Sequence, residues 1–130
     1  MARNVEDLSK SGSAAALAEN LKRTITELCV LYLLNQKSAY IGEITDELCR
    51  RSSGFLNLVC PYGLIYRLVE FEYIEELKKK RAPDGRRRQY YQITDKGRVY
   101  LGELLECYRK FLSAMDTVLD ENEPFNDRTR

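Results

Sequence analysis

Histidine is absent from the 130 residues of this chain. Its absence removes together the commonest general base, the commonest metal ligand and the side chain that titrates near neutrality. Cysteine is scarce, and Cys29, Cys49, Cys60 and Cys107 are separated by 20, 11 and 47 residues. Zinc modules need paired ligands on short loops, so free thiols, buried or partly buried, are expected, with no metal and no cofactor. Reduced thiols fit a cytoplasmic location. Long apolar runs are missing too. The longest, residues 29–34, is far too short to span a bilayer, so no membrane partner is expected. The alanine-rich stretch 14–18 is cut short by Glu19 and does not read as a signal sequence. There is no phosphate-cradling glycine loop, and nothing places two carboxylates in a cleft, so an enzyme is not expected. Excess charge is also lacking. With 21 basic and 20 acidic residues the net charge is +1, which by itself does not announce a polyanion-binding protein.

What is present is charge in the wrong place for a monomeric core. Residues 78–97 read KKKRAPDGRRRQYYQITDKG, and positions 78–88 hold seven of the chain's basic residues against one acid, Asp84. Pro83-Asp84-Gly85 is a turn signal, because proline presets φ and glycine takes a positive φ without steric cost. Gln89 to Ile93 is rich in strand formers. The stretch predicts a two-stranded ribbon, near residues 73–81 and 86–93, with a cationic tip suited to the backbone of a nucleic-acid duplex. Acids gather instead at Glu70, Glu72, Glu75 and Glu76 and along the C-terminal third.

Helical signals surround the ribbon. Residues 14–34 contain neither Gly nor Pro, and Leu21, Ile25, Leu28 and Tyr32 repeat at helical spacing as one apolar stripe. A second helix is predicted from about Tyr40 to Arg51, with Ile41, Ile44, Leu48 and Cys49 on one face and Ser52-Ser53-Gly54 ending it. A third starts near Pro61, packs through Leu64, Ile65, Leu68 and Val69, and ends near Phe71. Thr94 reads as the N-cap of a last helix running to about Leu119. Three helices, a ribbon and a long helix predict a mainly α fold with a small β-hairpin: a winged helix-turn-helix domain plus a long C-terminal helix. In that plan the third helix enters the major groove and the ribbon reaches the backbone. The expected organisation is a flexible segment 1–13, the winged domain 14–94, a dimerisation helix 95–119 and a frayed tail 120–130.

In the last helix Leu101, Leu104, Tyr108, Phe111, Met115 and Val118 are spaced 3-4-3-4-3, with Leu105, Leu112 and Leu119 running beside them. Two adjacent stripes on a helix longer than a small domain can cover point to two contacts, one with the parent domain and one with a second copy. All nine residues are therefore candidates for a homodimer interface. Candidate DNA contacts are Tyr62, Tyr66 and Arg67 on the third helix and Lys78, Lys80, Arg86, Arg87 and Arg88 on the ribbon. A lysine run on an exposed edge strand also discourages aggregation, and Tyr66 could instead pack against the ribbon. Tyr91 and Ile93 share a strand face and are read as core.

The stretch Asp84 to Gly97 resembles the wing signature of the PadR family of bacterial transcriptional regulators: a glycine, basic residues, paired tyrosines, a hydrophobic residue, threonine, and a glycine three further on. Leu21-Lys22-Arg23 with residues 27–34 is similar to that family's first core helix, and Ala39-Tyr40 with Glu43-Ile44 to the start of its second. The chain departs from the family pattern at Glu72, where glycine is usual, at Ile41, and at residues 59–63. The resemblance implies a dimeric DNA-binding repressor with the C-terminal helix mediating dimerisation. Some members respond to small aromatic molecules at the dimer interface, often through a tryptophan. This chain has none, its nine tyrosines could line a site, and no effector is assigned. The alternative reading is a winged-helix protein-interaction module that does not bind DNA.

Overall fold

The computed structural model describes residues 12–57 and 62–127. The expected flexible segment up to residue 11, Cys60, the helix start at Pro61 and the last three residues of the tail lie outside the described residues.

Helix α1 spans Ala14–Leu34, and Ser13 caps it by accepting the Ala16 N–H at 3.1 Å. Helix α2 spans Ile41–Arg51 and α3 spans Tyr62–Glu70. Four short strands follow: β1 (Ile74–Glu76), β2 (Lys80–Arg81), β3 (Arg87–Arg88) and β4 (Tyr91–Ile93). Helix α4, Asp95–Val118, completes the fold. The core gathers Val30, Leu31, Leu33 and Leu34 from α1, Ile44 and Leu48 from α2, Leu64, Ile65 and Leu68 from α3, Ile74, Tyr91 and Ile93 from the strands, and Leu101 from α4. Tyr91 and Ile93 are thus core residues, as their strand face predicts.

The ribbon departs from the two continuous strands expected. β1 pairs antiparallel with β4, Ile74 opposite Ile93, and β2 pairs with β3, Lys80 opposite Arg88. Between these pairings Leu77, Lys78 and Lys79 oppose only Gln89 and Tyr90, so the register slips by one residue. A slip of this kind is a bulge, which bends the ribbon and separates its inner half from its tip. The Gln89 side-chain amide fills the gap by donating to the carbonyls of Leu77 and Tyr90. A further bridge joins Ala39, between α1 and α2, to Tyr91 through two backbone hydrogen bonds of 3.1 and 2.9 Å. The wing base is thereby tied to the helix-turn-helix.

The apolar stripe predicted on α1 is divided between the core and the surface. Leu21 and Tyr32 are exposed, and Ile25 and Leu28 only half-buried, while the core is built from the next face, residues 30, 31, 33 and 34. Leu21, Tyr32 and Leu17, which is 61% exposed, look outward, while Leu28 packs partly against the core.

The end of α3 explains the departure at Glu72. The Tyr73 N–H donates to the Leu68 carbonyl and the Glu72 N–H to the Val69 carbonyl, both at 2.9 Å. This is the paired hydrogen-bond pattern of a Schellman cap, whose turning residue must be left-handed, and Glu72 has φ +63°. A side chain held there costs about 1–2 kcal/mol relative to glycine. Glu72→Gly is therefore expected to raise stability by about 1 kcal/mol, seen as a higher urea midpoint with an unchanged m-value.

Candidate nucleic-acid interface

The wing tip is a three-residue loop. The Gly85 N–H donates to the Ala82 carbonyl at 2.9 Å, the Ala82 N–H to the Arg86 carbonyl at 2.8 Å, and Gly85 takes φ +84°. A left-handed third residue is what such a loop requires, and glycine supplies it. Asp84 holds the loop from the side, its Oδ1 accepting the Arg86 N–H at 3.0 Å.

The three consecutive arginines are not equivalent. Arg86 closes the loop opposite Ala82 and Arg87 begins β3. Both are exposed, and neither guanidinium has a carboxylate partner among the described residues. Arg88 is half-buried. Its Nη2 donates to Asp84 Oδ2 at 2.7 Å, and its guanidinium carbon lies 5.3 Å from the centre of the Tyr40 ring. Tyr40 meets Tyr90 edge-on at 5.4 Å, and Lys80 Nζ sits 4.3 Å over the other ring. Asp84, Arg88, Tyr40, Tyr90 and Lys80 therefore form a ladder of ion-pair, cation–π and aromatic contacts that docks the wing on the start of α2. The Arg88 hydrogen bond and the Arg86 N–H hold the Asp84 carboxyl below its usual range, and Asp84 in turn raises the Arg88 guanidinium. Burial, aided by the Glu43 carboxylate, raises the Tyr90 phenol. Lys78 is exposed in the bulge.

On α3, Tyr62 is 79% exposed and Tyr66 and Arg67 are also open. Two-thirds of Tyr66 is open to solvent. Its phenol is raised by a hydrogen bond to Glu70 one turn on. The exposed face of α3 thus offers two phenol rings and one guanidinium. Behind it an acid-lined hollow contains Glu72, Glu75, Glu76 and Asp95, so the cations of the wing and the carboxylates of β1 occupy separate regions. The sequence reading missed Tyr40 and Asp84 as parts of the site. Only the i,i+4 spacing of Asp84 and Arg88 hinted at their pairing.

Of the nine residues expected at a dimer seam, Leu101 is 3% exposed and belongs to this subunit's own core, which leaves it no surface for a partner. Leu104 and Leu105 pack partly against that core. From Tyr108 onward α4 leaves the domain: Phe111 is 56% exposed, and Leu112, Val118 and Leu119 are also open, with Met115 half-buried. The division between own-domain and outward contacts runs along the helix as well as around it. The outward part adjoins the exposed stripe of α1 across a groove of about 260 Å³ lined by Ile25, Leu28, Cys29, Tyr32, Leu105 and Tyr108, among others. Cys29 and Cys49 are half-buried free thiols and Cys107 an exposed one; burial raises the Cys29 thiol. Among the described residues no cluster of His, Cys, Asp and Glu could hold a metal ion, and no helix is long and apolar enough to cross a membrane.

Comparison with known proteins gives a consistent result. The transcriptional regulator PadR-like family is matched over residues 30–103. A crystal structure of a PadR-like transcriptional regulator from Bacillus cereus is similar at 27% identity and a TM-score of 0.67, covering 79% of this chain and 99% of that one. A PadR family regulator from Eggerthella lenta has the same fold, with a TM-score of 0.67 at 21% identity over 83% of this chain and 89% of that one. An uncharacterised protein of Lysinibacillus sphaericus is 29% identical over 93 residues, which is 70% of this chain and 84% of that protein.

Proposed function

The chain belongs to the PadR-like family of transcriptional regulators, and from that premise we propose that it acts as a homodimeric repressor binding double-stranded DNA in a sequence-specific way. The observation that carries the reading is the pair of guanidiniums, Arg86 and Arg87, that have no carboxylate partner among the described residues, on a wing docked by its own ladder of contacts beside the open face of α3. Arginines without carboxylates, held at the end of a rigid hairpin, suit phosphate oxygens. Tyr62, Tyr66 and Arg67 suit the floor of a major groove, where one arginine reads guanine and a ring edge can meet a thymine methyl. Lys78 and Lys80 add to the positive field of the wing.

The dimer is supported by α4. Its 24 residues make a rod of about 36 Å, and its second half carries apolar side chains that its own domain does not cover. Tyr108, where that half begins, shares a groove with Ile25, Leu28 and Tyr32 of α1, and a two-fold pair would present two wings and two reading helices to one duplex.

The test is fluorescence anisotropy with short duplexes at several salt concentrations. Arg86→Ala and Arg87→Ala are each expected to weaken binding to all sequences alike and to lower the salt slope by about one. Wild-type slopes in both variants would remove the phosphate role. Arg67→Ala is expected to change base preference at one position per half-site, by about 1–3 kcal/mol, as read by selection from a random duplex library. A second reading, a protein-interaction module, is favoured by the net charge of +1 and by the single arginine on α3. It predicts no measurable binding to any duplex at low salt.

A further inference from the structure

Asp84 is the one acid among the cations of the wing, and its two oxygens do different things. Oδ1 accepts the Arg86 N–H and shapes the loop. Oδ2 serves no turn geometry and instead binds Arg88 Nη2. Asparagine would satisfy the loop equally well, because its side-chain oxygen makes the same turn hydrogen bond. The charge on Asp84 is therefore surplus to the fold of the hairpin and acts on Arg88. Arg88 is itself poorly matched by its surroundings. Among the described residues its Nε is buried without a hydrogen-bond partner and Asp84 is the only carboxylate paired with it, while the Tyr40 ring centre lies 5.3 Å from its guanidinium carbon.

We propose that Asp84 is an internal counter-ion that occupies Arg88 in the free protein and that a DNA phosphate must displace. The inference rests on the DNA-binding reading above. Asp84 and Arg88 are both partly open to solvent, at 42% and 35% of the side chain. An ion pair at that exposure is weak enough to be exchanged for another anion. Tyr40 keeps the guanidinium plane in place during the exchange, so Arg88 needs no new rotamer search. The effect is a tax on every duplex: each phosphate that would engage Arg88 first competes with a tethered carboxylate. Weak, sequence-independent binding is lowered, and the contribution of α3 to discrimination rises relative to it.

The experiment compares wild type, Asp84→Asn, Arg88→Ala and the double variant, titrated into a short duplex of random sequence over a series of salt concentrations. Asp84→Asn is expected to bind roughly five- to tenfold more tightly near 0.1 M salt, with a slope steeper by about one, which is the worth of one added phosphate contact. In the double variant the gain should vanish, because it passes through Arg88. Unchanged or weaker binding by Asp84→Asn would show that the carboxylate buttresses Arg88 rather than occupying it, and overturns the proposal. A gain that survives Arg88→Ala also overturns it, since the effect would then be one of general charge. If wild type binds and only the gain is missing, the counter-ion role alone falls. If no variant binds at any salt, the DNA-binding reading falls and takes this one with it.

Discussion

Gly97→Ala is expected to unfold the wing base and to cost roughly 3 kcal/mol or more, the upper end of what an overpacked core position costs. The reason is a single close approach. A Cβ at residue 97 would stand 2.0 Å from the Tyr73 carbonyl oxygen and 2.7 Å from Ile93 Cγ1. The first of these atoms is backbone and cannot rotate away. Nor can the backbone easily retreat. The Tyr73 carbonyl accepts the Thr94 N–H at 3.0 Å, the Thr94 hydroxyl donates to the Glu72 carbonyl at 2.6 Å with the Tyr73 carbonyl 3.1 Å away, and Thr94 Oγ1 accepts the Gly97 N–H at 3.0 Å. One threonine thus caps α4 and clamps it against the end of α3, and only a residue without a side chain fits the closed clamp. Circular dichroism melts and soluble yield are the measurements. A melting temperature within a degree or two of wild type would mean that the clamp opens at little cost. Gly102, one turn or so further along the same helix, meets nothing within 4 Å, so Gly102→Ala is the control and should be neutral or stabilising.

Phe111→Glu is expected to convert the proposed homodimer to a monomer and to weaken the proposed DNA binding by roughly a hundredfold or more, because the two half-site contacts lose their linkage. Phe111 stands on the outward part of α4, more than half exposed in the single subunit, so the substitution leaves the domain itself intact. Its penalty arises only on association, where two carboxylates would be driven into an apolar seam without partners. Multi-angle light scattering should give half the wild-type mass, with the helical signal retained. A dimer of undiminished mass would place the seam elsewhere, and Leu21→Glu on the outward stripe of α1 then tests the other half of the same face.

Most of the helical frame was legible in the sequence because its signals are local. The absence of Gly and Pro over residues 14–34 marked α1, Ser52-Ser53-Gly54 marked the end of α2 through left-handed Ser53 and Gly54, and Thr94 marked the start of α4. The misreadings share a different cause. The stripe Leu21, Ile25, Leu28 and Tyr32 says that one face of α1 is apolar, but periodicity does not say which body covers it. The bulge between Glu76 and Lys80 has no composition signature, since it follows from two pairings that each satisfy their own contacts. Arg86, Arg87 and Arg88 are identical in residue type, and Arg88 differs in fate because Asp84 pairs with it and Tyr40, far away in the chain, lies beside it. Glu72 and Gly97 were legible as positions in a family pattern, and their reasons are a backbone dihedral and a carbonyl that no single-residue propensity records.

The slipped pairing of the hairpin also bears on descent. Ile74 and Ile93 are locked into the core on one side of the slip, whereas everything beyond Lys79 pairs only with itself and leans on Tyr40. An insertion or deletion in the outer loop therefore leaves the inner strands where they are. The fingertip can lengthen, shorten or trade its cations across generations while the rest of the body stays unchanged, so changes at the tip do not first have to survive a broken fold.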